Sequence, residues 1–536
     1  MTSVAAAHPE RRTGRQWLIA PVVAFATFME VLDFSIANVA LVHIAGSLSA
    51  GREESTWVLT SFMVANAIAL PASGWFASVF GRKRFFLACI AGFSAASLVC
   101  GLATSLTWLV VFRVVQGLAG GGLQPVAQSI LADAFPPSQR GMAFAMYGIS
   151  VMFAPAIGPT LGGWITDSFS WHWIFLINVP VGIVLFLLVG VLVDDPEHVE
   201  AERRRRRESP IRIDYIGFGL LALGFGSLQF MLDQGQTRDW FASDVILAAL
   251  VVSVVALVSF VLWDAGREDP ILDLRVFRSW NFVVASFLMF ALGLAMFTST
   301  VLLPVMVQQL FGYTAMLAGL VISPGAFLIM PVMPLVGRLV ARFDPRILIL
   351  FGLVMASTAL FAMTGITMQT DFWTLASIRM HQMIGLAFLF VPITTLAYIG
   401  LPRELSNAAS TLINLSRNLG ASVGIALVTT FVAQRSQHHH ARLAEHVAPH
   451  DPAYREMADA LVRKFETSGA GPADALDRAH AMIARMIDQQ SSLMAYIDCF
   501  YVQAVAIAAL AVLLVVMRGR RQQSAGQAAP IEPPGA

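Results

Sequence analysis

The chain has 536 residues, of which 57% are hydrophobic and 13% charged, with a mean hydropathy of +0.69 and a formal net charge of +1. A soluble globular surface needs roughly twice that charge, so lipid is the solvent for most of the length. The apolar runs do not alternate with polar residues, which excludes a β-barrel, and the basic residues form short clusters between runs instead of one basic face, which excludes a nucleic-acid-binding protein.

A membrane-crossing helix needs about 20 mainly apolar residues. Apolar length and flanking charge predict fourteen spans, near 17–43, 55–77, 85–104, 108–132, 141–166, 172–193, 213–233, 243–263, 280–310, 315–340, 347–368, 373–400, 407–434 and 494–517. Met1 to Gln16 are polar and basic and lead into a full-length run, which fits an uncleaved first span. Cys89 and Cys100 share the third span and Cys499 falls in the last, so the spacing suits buried thiols and not a disulfide framework or a metal site. In the long polar stretch 436–493, Leu461, Val462 and Phe465, then Leu476, Ala479, Met482, Ile483 and Met486, recur at helical spacing. That predicts two amphipathic helices joined at Ser468 to Pro472, a hairpin suited to capping the membrane part or binding a partner protein. His438, His439 and His440 have no further ligands at useful spacing and read as a solvated loop.

Alternate loops carry Arg11, Arg12 and Arg15; Arg82, Lys83 and Arg84; Arg140; the run Arg203 to Arg207; Arg267, Arg275 and Arg278; Arg342 and Arg346; Arg403; and Arg518, Arg520 and Arg521. The other short loops hold little more than Arg52 and Arg238. By the positive-inside rule both termini are cytoplasmic, which requires an even number of crossings. Arg203 to Arg207 read as a basic linker beside the membrane. The expected architecture is an all-α polytopic membrane protein: a cytoplasmic N-terminus (1–16), a six-helix bundle (17–193), a linker with two inserted spans (194–279), a second six-helix bundle (280–517) carrying the outer loop 436–493, and a cytoplasmic tail (518–536).

Internal repetition supports the two bundles. Pro71, Gly74 and Lys83 around the end of span two are matched in register by Pro334, Gly337 and Arg346 around the end of span ten, and Arg113, Gln116 and Pro125 of span four are echoed by Arg379, Gln382 and Pro392 of span twelve. Duplicated halves are the mark of alternating access, in which one bundle rocks against the other around a mid-membrane site.

Charges inside a span cost a few kcal/mol, so each requires a partner, a cavity or a function. Span one holds Glu30 and Asp33, three apart and on one face, with Asp33 about 20 Å from the cytoplasmic end. Burial opposes the charged form of such a carboxylate and a nearby cation favours it, so a small change of geometry makes it take up or release a proton. The alternative is a structural ion pair, with Arg113 as partner. Arg113, followed by Gln116, Gly117 and the small-residue stretch Ala119 to Gly122, suits either a two-pronged grip on a carboxylate or plain helix packing. Pro155, Gly158, Pro159, Gly162 and Gly163 of span five combine bending with close approach, as a flexible seal between halves would. Asn414, Arg417 and Asn418 of span thirteen and Arg379 and His381 of span twelve either line the cavity or hydrogen-bond neighbouring helices, the commoner role; Asn38 and Gln124 are further candidate cavity residues, and Asp498 reads as solvated at the outer boundary.

At these residues the sequence resembles the major facilitator superfamily, and within it the fourteen-span drug:proton antiporters, the DHA2 family. Phe28 to Leu41 resemble the first-span motif, Gly74 to Arg84 the loop motif after span two, with Gly74, Ser78, Gly81 and Arg82 as gating positions, Arg113 to Gly117 the span-four motif and Ala154 to Gly163 the antiporter motif of span five. Ser78 stands where the superfamily usually has an aspartate, which questions a charge-relay gate at that loop. The resemblance implies that Asp33, with Glu30 and Arg113, couples export of hydrophobic or amphipathic compounds to proton entry, with the proton gradient as energy source and no cofactor. It further implies a periplasmic membrane-fusion adaptor and an outer-membrane channel as partners, and a bacterial inner membrane as location. An exporter of fatty acids, lipids or a secondary metabolite is the nearest alternative. A membrane enzyme or a non-transporting sensor is the alternative of another class, and no cluster of residues has a nucleophile's or a metal's spacing.

Overall fold

The computed structural model describes residues 13–195, 214–267, 270–445, 447 and 451–516; Arg11, Arg12, the run Arg203 to Arg207 and the tail 518–536 lie outside them. Fourteen helices among the described residues are long and apolar enough to cross a membrane. Span one is Thr13–Ser47, two Trp57–Phe80, three Arg82–Gly101, four Leu106–Gly120 continued by Leu123–Ala134, five Arg140–Ser168, six Trp173–Leu176 continued by Asn178–Leu192, and seven and eight Tyr215–Gln234 and Asp244–Ala265. Spans nine to fourteen are Trp280–Phe311, Ala315–Arg342, Pro345–Met363, Phe372–Ala397, Ser406–Ala444 and Pro472–Ala509. The multi-pass membrane architecture follows directly from apolar length.

Local chemistry sets several starts. Asp371 caps span twelve by accepting from the backbone amides of Trp373 and Thr374, and Asp344 caps span eleven with Pro345 at its first position. Spans two and three are joined by Gly81 alone, whose φ of 90° disfavours other residues. Span four breaks at Gly121 and Gly122, where small residues bring it onto its neighbours. A Cβ on Gly117 would lie 2.5 Å from the carbonyl oxygen of Phe62, and one on Gly121 2.8 Å from that of Asn66.

The two bundles meet along span five against span ten and span two against span thirteen. Span seven fills the outer groove between spans two and thirteen. Phe218 packs edge-on to Trp75, Gly226 approaches Ile68, and Gln229 accepts a hydrogen bond from Ser422 at 2.9 Å. Span eight packs on span seven and turns Val251, Val255, Val258 and Leu262 outward, as lipid-facing residues.

The stretch 436–493 holds the expected two helices joined between Thr467 and Pro472, but the spans on either side reach further into it than expected. Span thirteen continues as helix to Ala444 and span fourteen begins at Pro472, so the hairpin is the helix Pro452–Thr467 laid against an extension of span fourteen. The three histidines are therefore helical. His439 is buried, with Nε2 2.8 Å from Asp498 Oδ2, which Arg435 also holds at 2.6 Å. Asp498 is held by an ion pair where solvation was expected, because two helices converge on it.

Candidate functional site

Asp33 lies in a closed polar cage inside the first bundle. Its Oδ2 accepts from Arg113 Nη1 at 2.5 Å, and its Oδ1 accepts from Gln116 Nε2 at 3.0 Å and Asn178 Nδ2 at 2.7 Å. Ser97 Oγ ties the cage together by accepting from both amides, at 3.1 and 3.0 Å. Arg113, fully buried, donates its Nε to Val58 O at 3.1 Å and lies over the ring of Phe62, 4.1 Å from its centroid. Its hold on Asp33 is through one nitrogen and not two-pronged: the neighbouring Nη2, which would complete the fork, has no hydrogen-bond partner. Asn178, at the bend of span six, was not foreseen; an asparagine on an otherwise apolar helix was its only sequence signal.

Glu30, one turn away, faces a different environment. Its two oxygens accept from Asn66 Nδ2 at 3.0 Å and Gln124 Nε2 at 2.8 Å. It lines a cavity between the bundles with Phe34, Phe62, Met63, Gln124, Gln229 and Asn418. Aromatic, thioether and amide walls around one acid suit an amphipathic ligand.

Next to this cavity a belt of polar contacts joins the halves toward the arginine-rich end. Arg417 Nη2 donates to Gln124 Oε1, Asn414 Nδ2 donates to Gln128 Oε1 and its Oδ1 accepts from Tyr147 at 3.0 Å, and Ser129 Oγ donates to Asn407 at 2.6 Å. Gln124 thus links Glu30 to Arg417 across the interface. At the same end, spans five and ten touch through Gly141 and Gly337, where a Cβ on either would lie 2.8 Å from the other's carbonyl oxygen.

Of the expected cavity residues, Gln124 and Asn418 line it, while Asn414 and Arg417 belong to the belt. Asn38 is exposed and outside it; four residues past Phe34 it lies on nearly the same face, one turn further along the helix. The span-five glycines also take another role. Gly158 and Gly162 pack on Ser35 and Ile36 of span one within their own bundle, the carbonyl of Pro155 accepts from Ser35 Oγ at 3.1 Å, and Gly163 meets no neighbour within 4 Å. Span five, unbroken through Pro155 and Pro159, reaches the other half through Thr160, 3.3 Å from Ser323.

At the loop after span two, Ser78 Oγ only bonds back to Trp75 O at 2.8 Å, while Arg82 is buried in an ion pair with Asp133 of span four. Gly74 sits against Thr411 of span thirteen, where a Cβ would lie 2.8 Å from Oγ1. Lys83 donates its backbone amide to Asp195 at 2.8 Å. The loop therefore has its carboxylates, supplied by other segments.

The second bundle repeats part of the cage. Arg379 Nη1 donates to Gln382 Oε1 at 2.5 Å, as Arg113 Nη1 does to Gln116 Oε1 at 2.8 Å, but its further partners are the hydroxyls of Ser299 and Thr300 of span nine, both at 2.7 Å. His381 lies outside the cage, with Nε2 3.1 Å from Thr358 Oγ1.

Duplicated bundles around a largely apolar cavity, with two buried acids on one helix, define a membrane transporter. The sequence pattern of the Major Facilitator Superfamily matches residues 23–425. Over 494 residues the chain is 38% identical to the multidrug export protein EmrB of Escherichia coli K12, covering 92% of this chain and 93% of that protein. It is likewise 38% identical, over 83% of this chain and 87% of the relative, to the fatty acid resistance protein FarB of Neisseria gonorrhoeae. The solved structure of the proton:xylose symporter XylE aligns with a TM-score of 0.57 at 12% identity, over 90% of this chain and 95% of that one, a likeness of fold. The chain belongs to the Major Facilitator Superfamily, in its EmrB-like fourteen-helix branch.

Proposed function

We propose that this chain exports hydrophobic and amphipathic compounds, drugs among them, across a bacterial inner membrane in exchange for protons. The observation that carries the reading is the division of labour on span one: Glu30 lines the cavity, and Asp33 is bonded by Arg113, Gln116 and Asn178 in a cage of its own. The names of the relatives EmrB and FarB support drugs and fatty acids as substrate classes, and Phe34, Phe62 and Met63 suit such apolar bodies.

In this reading both termini are cytoplasmic, and the belt from Gln124 to Asn407 closes the cytoplasmic side. A proton reaching Asp33 from outside neutralises it and leaves Arg113 as an uncompensated buried charge, a state that favours rearrangement of the bundle. One proton moving through about 100 mV and one pH unit releases roughly 3.7 kcal/mol, enough for a several-hundredfold gradient of a neutral substrate. No cofactor is needed. The helical hairpin beyond span thirteen is the surface for a periplasmic adaptor, which would lead on to an outer-membrane channel.

The test is substrate-dependent proton release from liposomes holding the purified chain. Wild type should release protons when substrate moves, and Asp33→Asn should bind substrate without releasing them. Full-rate uphill export by Asp33→Asn would overturn the reading.

A further inference from the structure

The cage in the second bundle lacks what makes the first one electrically complete. In the first, Arg113 and Gln116 both donate to the carboxylate of Asp33. In the second, Ser299 of span nine receives the bond from Arg379 Nη1 that Asp33 receives from Arg113 Nη1, and only neutral groups surround the guanidinium: the hydroxyls of Ser299 and Thr300 and the amide oxygen of Gln382. Arg379 is fully buried, and among the described residues no charged group offsets that burial.

One of two orphaned donors falls where the acid would be expected. Gln382 presents its oxygen to Arg379, which leaves its Nε2 without a partner; the corresponding nitrogen of Gln116 is one that reaches Asp33. The Nε of Arg379 is also without a partner. A buried guanidinium with no opposing charge costs several kcal/mol, and buried N–H donors left unbonded add to that. A compact anion accepting from Arg379 and Gln382 would relieve both.

We propose that Arg379 and Gln382, with Ser299 and Thr300, form a binding site for a small monovalent anion. Two sources share that chemistry: a halide such as chloride, and the carboxylate head of an amphiphile. Arg379 lies seven residues into span twelve, roughly 10 Å from the end that carries the hairpin, and its partner Thr300 is partly exposed. The carboxylate source rests on the export reading above; the halide source does not.

The test is thermal unfolding of the purified full chain in neutral detergent, which reads binding and not transport. Sodium chloride is compared with sodium sulfate, whose anion is divalent and carries no carboxylate, at equal ionic strength, and decanoate below its micellar concentration with decanol. Binding should raise the midpoint by roughly 2–4 °C at a hundredfold excess over the dissociation constant. A shift with chloride assigns the halide, and a shift with decanoate but not decanol assigns the carboxylate head. Arg379→Gln should lose the shift. Ser299→Asp, which places an internal carboxylate beside Arg379 as Asp33 stands beside Arg113, should raise the midpoint without added anion and flatten the response, keeping the proposal testable if Arg379→Gln does not fold. No shift with either probe, or an undiminished shift in Ser299→Asp, would overturn it.

Discussion

Glu30 and Asp33 stand one turn apart on span one and share no hydrogen-bond partner: Asn66 and Gln124 donate to the first, and Arg113, Gln116 and Asn178 to the second. Their neutral isosteres should therefore fail differently. Glu30→Gln keeps an acceptor for one amide and removes the charge from the cavity wall, so affinity for a cationic substrate should fall about tenfold, equivalent to about 1.4 kcal/mol, while a neutral substrate is still exported uphill. Asp33→Asn should reverse the pattern, with binding within a few-fold of wild type and no uphill export. Titration with a fluorescent cation and with a neutral dye, beside vesicle transport, separates the two.

The ion pair of Arg82 and Asp133 predicts which charge at the loop after span two matters. Both side chains are 2% exposed, so Asp133→Asn removes a buried negative charge that faces Arg82 and should cost about 3–5 kcal/mol, seen as a lowered unfolding midpoint and reduced yield. Ser78→Ala breaks only a bond within its own helix turn and should change stability by less than about 1 kcal/mol.

Joining the halves at the belt should trap the carrier. Ser129 and Asn407 touch across the interface at 2.6 Å, and the native Cys89, Cys100 and Cys499 are buried, so background oxidation is small. The pair S129C and N407C should crosslink under mild oxidant and stop transport, with activity recovered on reduction. Unchanged transport in a chain fully crosslinked at this pair would mean that the belt does not open.

Spans nine and thirteen cross at Gly293, where an added Cβ would lie 2.1 Å from the backbone oxygen of Arg417. Backbone cannot yield as a flexible side chain does, so Gly293→Ala should destabilise by about 1–3 kcal/mol and displace Arg417 from Gln124. Gly163→Ala, with nothing within 4 Å, is the matched control and should leave the unfolding midpoint unchanged.

Much of this protein was legible in its residues alone. Crossing lipid demands an unbroken helical run about 20 residues long, so the fourteen spans could be read from apolar length, and the few charges inside them stood out because each is costly there. Arg113 could be named as the partner of Asp33 for the same reason: candidate cations within the first bundle's spans are scarce. What the tertiary structure decided was which surfaces meet. Asn178 joining the Asp33 cage, Asp133 supplying the acid that Ser78 does not, Gln229 entering the cavity wall from an inserted span, and Asn38 lying outside that wall all depend on the rotation and register of helices distant in sequence. Periodicity reports a residue's place on its own helix; its neighbours on another helix are set by packing between the two, which no local pattern encodes.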